Sequence, residues 1–112
     1  MTVEENLQFY AAVWQCNTAA GDVIAELELG DCAHRPVRYL SAGQRRRTAL
    51  GCLQMRPATV WLLDEPLTNL DARGAELVAR WLSAHMARGG CSVVATHRPE
   101  ALAELASVIV EL

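Results

Sequence analysis

The sequence predicts an α/β fold: a helical portion over residues 1–56, followed by a parallel sheet with crossover helices over residues 57–112. Three observations carry that prediction. Capped, helix-periodic segments fill the first 55 residues. Two continuous apolar runs, Thr59–Leu63 and Ser92–Thr96, are too short for helices and typical of strands buried on both faces. A long amphipathic stretch separates them, and strand, helix, strand is the grammar of a parallel sheet with right-handed crossovers.

Each element follows from local chemistry. Thr2-Val3-Glu4-Glu5 fits a capping box, with Thr2 as N-cap and Glu5 reaching back. Behind it Val3, Leu7, Tyr10, Ala11 and Trp14 recur at helical spacing, giving an amphipathic first helix. Asn17–Gly21 reads as a turn, Val23–Leu29 as a short helix closed by Gly30, and Asp31–Tyr39, with Pro36 inside it, as a loop. Ser41-Ala42-Gly43-Gln44 is a second capping box, opening a helix through Met55 that stops before Pro57. After the first apolar run the chain must turn at Asp64-Glu65-Pro66, because Pro66 cannot continue a ladder. A helix over 72–88 carries Leu77, Val78, Trp81, Leu82 and His85 on one side and ends at Gly89-Gly90. The second strand ends at His97, a short helix over 99–105 follows, and Val108-Ile109-Val110 reads as a third strand.

Composition excludes several classes. With 52% apolar residues a core can form, and wholesale disorder is excluded. The 112 residues allow one small domain and not a multidomain enzyme. A formal net charge of -3 argues against a nucleic-acid-binding module, which shows a basic excess. No apolar run reaches the ~18–20 residues of a membrane span, and the opening lacks the basic start and apolar stretch of a secretory signal. Cys16, Cys32, Cys52 and Cys91 form no C-x-x-C pair and read as reduced thiols packed as small hydrophobes, in a cytoplasmic protein. His34 and His85 read as structural or solvent-facing, and Trp14, Trp61 and Trp81 as core. Arg45, Arg46 and Arg47 suit either a solvated face or contact with a membrane subunit or anionic headgroups.

Two places carry chemistry. In open parallel sheets ligands bind outside the carboxyl ends of strands, which is where Asp64 and Glu65 fall. Neighbouring strand residues point to opposite sides, so one acid can hold a metal ion while the other polarises a water. At Leu40-Ser41-Ala42-Gly43-Gln44 a helix N-terminus presents N–H groups and partial positive charge suited to phosphate. Gly43 permits close backbone approach there, and Ser41 supplies a hydroxyl. Taken alone, two acids after a strand also suit a solvated loop, and Ser41 with Gln44 also suit a plain helix cap.

Combination is more specific. Leu40 to Gln44, then Val60 to Asp64 with Glu65, then Asn69-Leu70-Asp71, then Thr96-His97 form an ordered set. That set resembles the signature, Walker B with catalytic glutamate, D-loop and switch histidine of ABC transporter ATP-binding subunits, with Ala42 where Gly is commoner. Glu5–Tyr10, Arg35–Tyr39 and the Arg run after Gln44 resemble one branch, the ATP-binding subunit of the haem exporter of cytochrome c maturation. The resemblance implies a P-loop NTPase-like parallel sheet. It also implies ATP and Mg2+ as cofactors, with Asp64 orienting the metal through a water. Glu65 would be the general base and His97 the contact to the γ-phosphate. Ser41, Ala42, Gly43 and Gln44 would meet ATP bound on a second ATP-binding subunit in a head-to-tail dimer, and Asp71 would connect the two sites. Integral membrane transporter subunits would be the other partners, with no nucleic acid, at the inner face of the cell membrane.

Two motifs of that family have no counterpart here, the Q-loop glutamine and the P-loop. A P-loop, G-x-x-x-x-G-K-[ST], cradles phosphates with backbone N–H groups and its Lys; these 112 residues contain ten Arg and no Lys, and lack that glycine spacing. The sheet is therefore expected to be incomplete, the chain to match the C-terminal half of an ATPase domain, and the polypeptide alone to turn over no ATP. The competing readings are a catalytically silent half-domain that partners a complete ATPase, and a non-transport ATPase of the same superfamily.

Overall fold

Two reciprocal hydrogen bonds start the first helix. In the computed structural model, which describes residues 1–110, the Glu5 N–H donates to Thr2 Oγ1 at 3.1 Å and the Thr2 N–H donates to Glu5 Oε1 at 2.9 Å. Helix α1 then runs Val3–Val13, burying Val3 and Leu7. The chain divides into two units, Met1–Pro57 and Ala58–Leu112.

The first unit contains α1, α2 (Ala20–Glu26) and α3 (Ala42–Gln54), with single 3-10 turns at Gly30–Cys32 and Val37–Tyr39. Leu7, Val23, Ile24, Leu27, Leu29 and Leu50 are among its buried apolar residues. Gly51 lets α3 come close: a Cβ there would lie 2.8 Å from Leu27 Cδ1 and 3.0 Å from Leu7 Cδ2. Backbone bonds from Glu4 N–H to Ala33 O and from Val37 N–H to Met1 O, both 3.0 Å, fasten the start of α1 to the 33–37 segment. Two expectations fail here. Helix α2 ends at Glu26 and not at Leu29, because Glu28 takes the left-handed conformation (φ 57°) expected of Gly30. Trp14 is 39% exposed and not core, since it caps the end of α1, where the Arg56 guanidinium lies 4.3 Å from its ring centroid.

The second unit is a two-stranded parallel sheet with one crossover helix. Strand β1 (Val60–Asp64) pairs with β2 (Cys91–Ala95) in the register Val60↔Cys91 through Asp64↔Ala95. Helix α4 (Ala72–Ala87) joins them, with Leu77, Val78, Trp81, Leu82 and His85 buried as the periodicity predicts. Gly89, at φ 87°, ends it in the left-handed conformation. Against α4 the Trp61 indole stacks on the His85 ring, with centroids 3.8 Å apart and planes 6° from parallel. The expectation of burial on both faces is wrong: Val60, Leu62 and Val93 are exposed, so a single face is covered. Cys91 is exposed on that open face and is not packed, while Cys32 is buried and all four thiols are free. The segment 99–105 forms two 3-10 turns, Pro99–Ala101 and Ala103–Leu105, in place of one helix. Val108, Ile109 and Val110 are exposed and form no strand. A strand needs a ladder partner, and among the described residues β1 and β2 pair only with each other. No helix of the described residues is long and apolar enough to cross a membrane.

Candidate functional site

The parallel register decides what meets at the carboxyl edge of the sheet. Asp64, the last residue of β1, is exposed. One residue further the Glu65 N–H still donates to Ala95 O at 2.7 Å, prolonging the ladder. Glu65 itself has φ 46°, a left-handed backbone that non-glycine residues occupy at an energetic cost. The kink turns its carboxylate toward the end of β2. There Oε1 accepts the His97 N–H at 2.7 Å and Oε2 accepts the Thr96 hydroxyl at 3.3 Å. The His97 ring is 98% exposed, with Nε2 3.6 Å from Glu65 Oε1.

The neighbouring turns are tied in the same way. Thr96 Oγ1 accepts the Arg98 N–H at 3.0 Å, and Arg98 Nη2 donates to Leu67 O at 3.0 Å. Bonds from Thr68 N–H to Glu65 O (3.2 Å) and Leu70 N–H to Leu67 O (3.1 Å) close the 65–70 turn, in which Asn69 is also left-handed at φ 64°. Pro66 and Leu67 are buried beneath it. Asp71 is the N-cap of α4, its Oδ1 accepting the Gly74 N–H at 2.9 Å. Among the predicted site residues of this unit, the structure brings Glu65 and His97 together. Asp64 directly precedes Glu65 in sequence, and Asp71 makes a capping bond.

The other predicted residues lie in the first unit. The Gln44 N–H donates to Ser41 Oγ at 3.1 Å, and the Ser41 N–H donates to Gln44 Oε1 at 3.0 Å, completing the second capping box. Ser41 and Ala42 are exposed, and Gly43 and Gln44 half-buried. Helix geometry leaves the first-turn N–H groups of Ala42 and Gly43 without an intrahelical acceptor, at the positive end of α3. Of the basic run, Arg45 is exposed while Arg46 and Arg47 are half-buried, so it is not a uniform solvated face.

The donor set suits magnesium held chiefly by a nucleotide. Among the described residues no three His, Cys, Asp or Glu side chains cluster into a metal cage. Magnesium in phosphate sites is held by one or two carboxylates plus phosphates and waters, and one exposed strand-end carboxylate, Asp64, meets that need. Thr96, which the motif set includes without a role, and Arg98, which it omits, bond within the same cluster. The available signal is their place beside His97 at the carboxyl end of a parallel strand.

Comparison with known proteins gives a consistent picture. A family model described as "ABC transporter" matches residues 1–68. The chain is 44% identical over 102 residues to a cytochrome c biogenesis ATP-binding export protein of Novosphingobium aromaticivorans, covering 91% of this chain and 51% of that protein. It is 45% identical over 100 residues to the protein of that name from Paracoccus denitrificans, covering 87% of this chain and 46% of the relative. The chain thus spans about half the length of the curated relatives it matches. Among solved structures, an RNase-L inhibitor superposes with a TM-score of 0.72 at 28% identity, over 90% of this chain and 20% of that one.

Proposed function

The chain belongs to the ABC transporter family, and from that premise we propose that it supplies the signature, Walker B and switch portion of an ATP-hydrolysing subunit powering export in cytochrome c biogenesis. The observation that carries this reading is the meeting of Glu65 with Thr96 and the His97 backbone at the carboxyl edge of β1 and β2. The names of the relatives point the same way, and haem as cargo rests on the motif resemblance.

Magnesium, when bound, would supply charge neutralisation at the phosphates of ATP. Asp64 would hold that ion through a water, from the exposed end of β1. Glu65, one residue on and turned toward the end of β2, would accept the proton of the attacking water. His97, with its imidazole exposed beside Glu65 Oε1, would reach the γ-phosphate. The first turn of α3 would offer Ser41 Oγ and the Ala42 and Gly43 N–H groups to ATP bound on a second subunit, arranged head to tail. Asp71 would link the two sites, and Ala42 and Gln44 would complete the signature contact. Integral membrane subunits would carry the cargo, and the ATP-hydrolysing assembly would sit against them at the cytoplasmic face. With neither Lys nor G-x-x-x-x-G-K-[ST] in its 112 residues, the chain alone would not turn over ATP.

The test grafts onto Met1 the part of the Novosphingobium relative that this chain does not match. The 112-residue chain is expected to be silent and the fusion to hydrolyse ATP only with magnesium. Glu65→Gln in the fusion should lower kcat by about 10²–10⁴-fold at little cost in nucleotide binding. A fusion that hydrolyses equally well after the Glu65→Gln change removes Glu65 from the role.

A further inference from the structure

We propose that Thr96 and Arg98 are positioning residues that hold the Glu65 carboxylate against the His97 backbone before any nucleotide arrives. This deepens the reading above, since it matters to catalysis only if Glu65 is the base.

The geometry is a double strap around His97. On one side the Thr96 hydroxyl donates to Glu65 Oε2 while accepting the Arg98 N–H, so a single oxygen fixes both the carboxylate and the following turn. On the other side the Arg98 guanidinium crosses to Leu67 O, two residues beyond Glu65. Between them the His97 N–H meets Glu65 Oε1 at 2.7 Å, the short distance expected of a bond to a charged acceptor. Residues 96, 97 and 98 therefore each reach back to the 65–67 turn, across some thirty positions of sequence. Without such bonds a glutamate side chain samples many rotamers about its three side-chain torsions. Held this way, its Oε1 faces the side of the turn from which the His97 ring projects. The exposed imidazole, in contrast, can move when a ligand comes.

The experiment uses the isotopically labelled 112-residue chain without nucleotide, so it stands or falls apart from the hydrolysis test. The probe is exchange protection of the His97 amide, with the Glu65 amide, bonded to Ala95 O, as the control. Wild-type protein should show a protected His97 amide, and Glu65→Gln, which replaces a charged acceptor by a neutral one, should lower that protection. Thr96→Val should lower protection about tenfold, while Thr96→Ser restores it to within about twofold of wild type. Arg98→Ala should lower protection about threefold. A residue needed only for local folding would lower protection of the Glu65 amide to the same degree. The proposal is overturned if Thr96→Val and Arg98→Ala leave protection within twofold of wild type, or if Thr96→Ser behaves as Thr96→Val. Should Thr96→Val not fold, the Arg98→Ala and Glu65→Gln results decide the matter alone.

Discussion

Glu5 shows how much a single side chain can carry at the surface. Its carboxylate accepts the Thr2 N–H, first of all, and the Thr2 hydroxyl contact adds to that, so its pKa lies below the usual glutamate value. A pKa lowered in the folded state means stability that is present above the unfolded value and lost as pH falls through the folded one. We therefore expect the first turn of α1 to hold at neutral pH and to fray in acid, below the ordinary glutamate range, as Glu5 protonates. The Thr2 amide shift followed against pH reads this directly. Glu5→Gln keeps an acceptor for the Thr2 N–H and should flatten the acid response; an unchanged response in that variant would assign it to another group. Both capping boxes were legible in the sequence because donor, acceptor and spacing all lie within four residues. Glu28 and Trp14 were not. At Glu28 a non-glycine residue supplies the left-handed turn, and at Trp14 exposure depends on where α1 ends and on Arg56, 42 positions away.

Helix α4 does more than cover the sheet. His85 Nε2–H donates to Thr59 O at 2.9 Å and to Cys91 O at 3.2 Å, joining the entry to β1 with the first residue of β2. Its ring is buried and stacked on Trp61, with Gly90 leaving room where a Cβ would strike the imidazole. This staple sits at the opposite end of the strands from Glu65, and it supports the same register that brings Ala95 to the Glu65 N–H. His85→Ala should destabilise the protein by about 2–4 kcal/mol in denaturant titration, through lost packing and two lost hydrogen bonds. His85→Phe keeps the stack and should recover part of that loss. A change below about 0.5 kcal/mol for His85→Ala would reduce the staple to a bystander. The buried stripe that includes His85 was legible from helical period alone. What its nitrogen bonds was not, because Thr59 lies 26 residues earlier and only the folded crossover brings them together. For the same reason Asp64, Glu65 and His97 stood out as residues at strand ends, whereas the Thr96 and Arg98 straps emerged only from the register.

The sheet as a whole is covered on one side. A run such as Val60–Leu63 reads as buried on both faces because its residues are apolar throughout, but burial is decided by what packs there, and only Trp61 and Leu63 turn toward α4. The outer face presents Leu62 at 75% exposure, Val93 at 62% and Val60 at 52%, contiguous across the two paired strands. Val108, Ile109 and Val110 add exposed apolar surface further along the chain. Apolar surface gathered in this way, unlike scattered single residues, binds apolar probes and favours association. We expect the 112-residue chain to enhance the fluorescence of an apolar dye while retaining its helices. Leu62→Gln together with Val93→Thr should cut that signal by at least about half, with stability altered by no more than about 0.5 kcal/mol because neither side chain contributes to the covered core. A Cys91 thiol label provides an independent reading, since Cys91 shares the outer face and the label should respond to the dye's arrival. Dye binding that survives both substitutions, with no response at Cys91, would place the sticky surface elsewhere and require the outer face to be less accessible than its exposure implies.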